Sequence, residues 1–155
     1  RFDPSLNDMQ SLCSEVVDNL CSLPGYTGRV RLQSDASRVQ AYVDAHLLRQ
    51  VLDNIIHNAL KYSDDVVDVT TSCTSDAWTI SVQDRGIGIP QADIDKLYEP
   101  FHRGNNVGAI SGTGLGLSIA KHAIDLHCGS ITVDSQPGEC TTFTLTIPLK
   151  LEGNS

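Results

Sequence analysis

"SGTGLGLSIAK", Ser111 to Lys121, places a glycine at every second position (Gly112, Gly114 and Gly116) and then opens into an apolar, helix-like stretch. Glycines let backbone N–H groups approach an anion, and the start of a helix favours negative charge, so the layout suits a phosphate. Two familiar phosphate loops do not fit it. A P-loop needs Gly-Lys followed by Ser or Thr, whereas Gly116 is followed by Leu117. A dinucleotide fingerprint needs its third glycine one residue later, after a strand of a parallel βαβ unit. Taken alone, the cluster leaves a plain flexible loop and a nucleotide site both open.

Outward from this stretch, the pattern predicts a helix over Gly116–His127 and then paired strands, Ser130–Ser135 and Thr142–Leu149, around "QPGE". On the other side lies a glycine-rich zone, Asp84 to Gly112, with a short helical piece near Ala92–Tyr98. Irregular segments of that length inside a domain are usually lids or disordered, and a lid beside a glycine cluster favours a ligand site. Further back, Val66–Cys73 and Trp78–Gln83 read as strands paired about Thr74-Ser75-Asp76, and Leu47–Tyr62 as a strong helix with Asp44 as its N-cap. Arg29–Gln33 and Val39–Asp44 are short β-type runs. Leu6, Met9, Leu12, Val16, Val17 and Leu20 keep helical spacing until Pro24-Gly25. Strands in pairs with helices between them predict an α+β, two-layer α/β sandwich. Its mixed sheet has about five strands, covered on one face by about three helices, and it is not a doubly wound parallel sheet.

The 155 residues fit one domain, and 40% hydrophobic content with modest charge places it in the globular class. No apolar run approaches a membrane span, and "RFDPSLNDMQ" has no signal-peptide character. A net charge of −8 argues against a nucleic-acid surface. It leaves room for a nucleotide, whose phosphates one Mg²⁺ and a few aimed N–H groups can neutralise. Cys13, Cys21, Cys73, Cys128 and Cys140 are odd in number and lack CxxC spacing, so they read as thiols of a reducing compartment. His122 and His127 are five apart and miss the i, i+4 face of a zinc helix, so no protein-only metal site is expected.

Within "LLRQVLDNIIHNALKYS" (Leu47–Ser63), Leu48, Val51, Leu52, Ile55, Ile56 and Ala59 form an apolar stripe. Asn54, Asn58 and Lys61 recur at i, i+4 and i+7 along its edge. Asparagine is a mediocre helix residue because its amide competes for the backbone. Two of them one turn apart, followed by lysine, fit either a solvated flank or a site. The amide oxygen is a hard, neutral ligand for Mg²⁺, and the lysine is a point charge for phosphates.

"NIIHNALKYS", "DRGIGIP", "LYEPFHRG", "GTGLGLSIAK" and "GECTTFTLTIPL" resemble, in order, the N, G1, F, G2 and G3 boxes of the histidine protein kinase ATP-binding domain, a member of the GHKL ATPase superfamily. The resemblance covers nearly the whole chain, and five boxes in order are a specific signal. It implies Mg–ATP as the ligand, under a flexible ATP lid. Asn58 would coordinate Mg²⁺, with Asn54 beside it and Lys61 near the phosphates, and Tyr62 would lie against the adenine. Asp84 would accept the adenine exocyclic amine, as an acceptor-only carboxylate can. Gly86 and Gly88 would let the chain pass close to the base. Phe101 and Arg103 would belong to the mobile segment, with Arg103 meeting the γ-phosphate. Gly112, Gly114, Leu115 and Gly116 would present helix-start N–H groups to the phosphate chain. Thr142 would complete the hydrogen bonding of the adenine, through water.

The sequence departs from the family at Cys128, in "HCG" for the usual "HGG", and at Cys140, where the third box has a glycine. Asn54 stands where hydrolysing members of the superfamily carry a glutamate, which disfavours a fast ATPase and favours phosphoryl transfer. Histidine kinases phosphorylate a histidine followed by an acidic residue. Here the five histidines precede Leu47, Asn58, Arg103, Ala123 and Cys128. The chain thus resembles a catalytic domain without its dimerisation and histidine phosphotransfer domain, which would be its partner, with a response regulator further downstream. On this reading it does not autophosphorylate alone. Cytoplasmic placement is expected from ATP use and free thiols, whether or not the parent is membrane-anchored. A nucleotide-dependent interaction module and an anti-sigma-type serine kinase are the alternatives.

Overall fold

A computed structural model describes residues 2–34, 39–61, 63–86, 116–136 and 138–149. The elements are β1 (Ser5–Asp8), α1 (Met9–Cys21), β2 (Val30–Ser34), β3 (Gln40–Val43), α2 (Ala45–Lys61), β4 (Val67–Cys73), β5 (Ala77–Asp84), α3 (Gly116–Leu126), β6 (Ser130–Gln136) and β7 (Cys140–Pro148). The main sheet has the order β2-β4-β5-β7-β6. β2 runs parallel to β4 and every other neighbour is antiparallel, which makes the sheet mixed. The expected α+β sandwich is the observed one.

Period-two alternation gives this sheet one apolar face. Val67, Val69, Trp78, Ile80, Val82, Phe143, Leu145 and Ile147 are buried on it, and the three described helices supply the facing layer. α2 carries the largest share, with Leu48, Val51, Leu52, Ile55, Ile56, Ala59 and Leu60 buried. It packs on α1, α3, β4 and β5.

The sequence pattern differs from the structure at the N-terminus. Leu6 belongs to a strand, not to the first helix. β1 pairs with β3 in a separate two-stranded sheet, where Leu6 stands opposite Tyr42. The reason is the cap: Asp8 Oδ1 accepts the N–H groups of Gln10 (3.0 Å) and Ser11 (3.2 Å), so the helix starts at Met9. A spacing of three from Leu6 to Met9 mimics the helical stripe without belonging to it. The last strand also starts earlier than the pattern suggests, at Cys140.

Registers and turns bring four chain segments to one end of the sandwich. Asp84 closes β5 and faces Thr141 at the start of β7. Asp68, at the start of β4, pairs with Gln83, so the turn leaving α2 after Lys61 arrives at the same end. Ser130 pairs with Thr146 at the far end, and α3 enters β6 through a tight turn there. α3 therefore runs back toward the Asp84 end and places Gly116 near it. At the far end, His127 Nε2 accepts the Asp44 N–H (3.0 Å) and Nδ1–H donates to the Ala123 carbonyl (2.8 Å). Asp44 Oδ1 accepts the Leu47 N–H (3.1 Å), which makes it the cap expected for α2.

Candidate functional site

Asp84 is buried, 6% exposed, at the end of an otherwise apolar strand face. Burial pushes its carboxyl up to about 6, while the Gly86 N–H, donating to Oδ1 at 2.9 Å, opposes the rise. The carboxyl is thus held in low dielectric with the Gly86 N–H as its hydrogen-bond donor.

Directly opposite Asp84 on the same face stands Thr141, 4% exposed. Its Oγ1 lies 2.9 Å from Ser135 Oγ on β6, and Ser135 Oγ–H donates to the Cys140 carbonyl at 3.0 Å. Asp84, Thr141 and Ser135 form a polar row across β5, β7 and β6, at the edge of the core. Thr142, the threonine the resemblance implies beside the base, is the next residue and lies on the other face. It pairs with Gln83 and Asp134, and its side chain belongs to the outer face of the sheet. The alternation T-F-T-L-T-I already pointed Thr141 inward with Phe143, Leu145 and Ile147.

Asn54, Asn58 and Lys61 are half-buried along the edge of the α2 stripe, with Lys61 as its last residue. Beyond it, Ser63 Oγ–H donates to the Ala59 carbonyl (2.8 Å) and Arg29 clamps the turn. Its Nη2 donates to the carbonyls of Ser63 and Asp65 (both 2.9 Å) and its Nε to Asp65 again (3.0 Å). The motifs gave no signal for Arg29, because it is 34 residues from the turn it holds. Gly116 opens α3, whose first-turn N–H groups lack intrahelical partners. Tyr62, Gly88, Phe101, Arg103, Gly112, Gly114, Leu115, the helical piece at 92–98 and the lid lie outside the described residues.

Cys140 sits in ordinary strand backbone opposite Gln136, so the third box does not need its glycine for a left-handed conformation. Cys128 does adopt one, with φ 59°, at the end of α3. There the family glycine would be at ease, and the thiol residue is accommodated at a cost. Among the described residues no helix is long and apolar enough to cross a membrane.

The model of the histidine kinase-, DNA gyrase B- and HSP90-like ATPase family matches residues 43–151. Sensor histidine kinase WalK of Bacillus subtilis is 45% identical over 116 residues, which is 71% of this chain and 19% of that protein. Sensor-like histidine kinase SenX3 of Mycolicibacterium smegmatis is 37% identical over 146 residues, 91% of this chain and 38% of that protein. The chain therefore spans well under half the length of these relatives. The solved catalytic domain of histidine kinase ThkA overlays with a TM-score of 0.81 at 24% identity, covering 95% of this chain and 98% of that one, a likeness of fold. The chain belongs to this ATPase family, as an ATP-binding catalytic domain of the sensor histidine kinase kind.

Proposed function

We propose that this member of the family binds Mg–ATP at the Asp84 end of the sandwich and presents the γ-phosphate to a histidine on a separate dimerisation and phosphotransfer domain. The observation that carries the reading is the buried Asp84 carboxyl, which accepts the Gly86 N–H at the end of the sandwich where α2 also ends. Asp84 accepts the exocyclic amine of the base. A guanine would turn a carbonyl toward the same carboxylate and be refused. Thr141, not Thr142, is the threonine beside it. Asn58 offers its amide oxygen to Mg²⁺, Asn54 lies one turn back, and Lys61 holds charge near the phosphates while Arg29 fixes the turn behind it. The N–H groups following Gly116 face the phosphate chain, helped by the helix dipole. Tyr62, Gly86, Gly88, Phe101, Arg103, Gly112, Gly114 and Leu115 complete the proposed binding set. Bound Mg–ATP supplies the phosphoryl group, and the chain supplies positioning and electrostatics.

Asn54 replaces the carboxylate that would activate water, which fits transfer to a protein acceptor. No histidine of this sequence precedes an acidic residue, so the acceptor is proposed to lie elsewhere.

Titration calorimetry with ATP and GTP, with and without Mg²⁺, tests the site. ATP binds and GTP does not, Asp84→Ala abolishes binding, and Asn58→Ala removes the magnesium dependence. Folded wild-type protein that binds no ATP overturns the proposal. ATP binding without transfer to any added phosphoacceptor domain would point to a nucleotide-dependent interaction module instead.

A further inference from the structure

We infer that the connection between α1 and β2 carries a pair of positioning residues, Arg29 with Tyr26, that serves the phosphate end of the site by holding Lys61 at the end of α2. The inference rests on the nucleotide reading above and adds to it residues that touch no ligand.

Two glycines shape the connection. Tyr26 N–H donates to the Leu23 carbonyl (3.1 Å) and Arg29 N–H to the Tyr26 carbonyl (3.0 Å), which makes two successive β-turns. Gly25 and Gly28 hold the third position of each, with φ 89° and 72°, where a side chain would be strained. Tyr26 and Arg29 then reach α2 at two points. The Tyr26 ring meets the His57 ring edge-on, 5.6 Å between centroids and 81° between planes. The Arg29 guanidinium stands 6.0 Å from the centre of the Tyr26 ring and donates beyond the helix end to the Ser63 and Asp65 carbonyls, at 2.9 to 3.0 Å. The Arg29 carbonyl in turn accepts the Val67 N–H at 2.7 Å, so side chain and backbone hold the same segment.

These two points bracket Lys61. His57 lies one turn before it on the same face of α2, and Ser63 lies two residues after it. The last carbonyls of a helix lack intrahelical partners, so a final turn with no outside support frays. A lysine on a frayed turn spreads its charge over many positions, and a phosphate that captures it must first order it. The planar fork of arginine suits two neighbouring carbonyls, and its charge has the sign that a helix C-terminus favours. Arg29 and Tyr26 therefore place Lys61 in advance of the ligand.

The test is binding of Mg–ATP and of adenosine to the full chain, by titration calorimetry and NMR titration. Adenosine keeps the base and lacks the phosphates. Arg29→Ala should weaken Mg–ATP by about tenfold, the size of one charge-assisted hydrogen bond, and leave adenosine unchanged. Arg29→Lys keeps the charge without the fork and should lose most of the same factor. Tyr26→Ala should weaken Mg–ATP by about threefold. In a Lys61→Ala background, Arg29→Ala should change Mg–ATP affinity by less than about twofold, because its effect passes through the lysine. The lysine and Tyr26 variants cover the case in which Arg29→Ala does not fold. A merely structural role would weaken both ligands alike, and that result overturns the inference while leaving the nucleotide site standing. Wild-type Mg–ATP affinity in Arg29→Lys also overturns it, since charge alone would then suffice, and so does full additivity with Lys61→Ala. Failure of the wild type to bind Mg–ATP sinks the inference together with the nucleotide reading.

Discussion

His127 Nε2 accepts the backbone N–H of Asp44 across 83 residues of sequence, at 3.0 Å, and so ties the end of α3 to the start of α2. The same ring is fully buried, donates to Ala123 from Nδ1, and meets the edge of Phe2 at 4.9 Å between centroids. α2 carries the asparagines and Lys61, and α3 begins at the glycine cluster. One side chain thus fixes the relative position of the two helices that form the walls of the proposed site, from the end opposite to it.

Replacing His127 by alanine removes that bond, orphans a buried N–H and opens a cavity. The expected loss is about 3 kcal/mol of stability, read as a lower denaturant midpoint. ATP affinity should fall as well, since α2 and α3 would no longer be held in one spacing. Unchanged stability would mean that the ring is a passenger.

Asp84 is held at a disadvantage that a substitution can release. Its carboxyl is raised by burial from 3.8 to about 6, so the folded state prefers the protonated form. This contribution to stability is fully present below the unfolded value near 3.8 and is lost as pH rises through about 6. Asp84→Asn, measured without nucleotide, should be more stable than wild type at pH 8 by on the order of 2–3 kcal/mol. The gain should vanish near pH 4, and ATP binding should be lost at every pH. In the wild type, ATP binding should weaken as pH is lowered through about 6, as the acceptor becomes protonated.

Gly129 and Cys128 should respond to substitution in opposite directions. A Cβ on Gly129 would run into the Thr146 carbonyl oxygen, so Gly129→Ala forces α3 away from the sheet, at an expected cost of about 3 kcal/mol. Cys128 has φ 59°, and Cys128→Gly relieves the left-handed strain, with a gain of roughly 1 kcal/mol. Thermal melts of the two variants would show shifts of opposite sign.

Thr71 lies inside the sheet face opposite Ile80, 1% exposed, and its hydroxyl is unpartnered among the described residues. Thr71→Val removes an unsatisfied buried oxygen and leaves the shape almost unchanged. Stability should rise by about 1 kcal/mol, or roughly 3 °C in Tm for a chain of this length. A fall would show that the hydroxyl has a partner in solution.

Much of this fold is legible in the sequence. α2 was readable because seven buried residues keep helical spacing and Asp44 caps them, and β5 and β7 because valines, isoleucines and threonines alternate. The boundaries were less so. Leu6 fell into the wrong element because a stripe of period 3.6 does not say where it begins, whereas the Asp8 cap does.

The sequence by itself determined the sandwich class, the family and the residue types of the site. Hydrophobic period, caps and ordered boxes are local properties, written within a turn or a strand. Tertiary structure alone decided which groups meet. The pairing of Asp84 with Thr141, the Arg29 clamp on the turn after α2 and the His127 bond to Asp44 all depend on register or on contacts 34 to 83 residues apart. A shift of one residue in a strand exchanges its two faces, so the identity of a neighbour across the sheet is fixed only when the whole core selects one register.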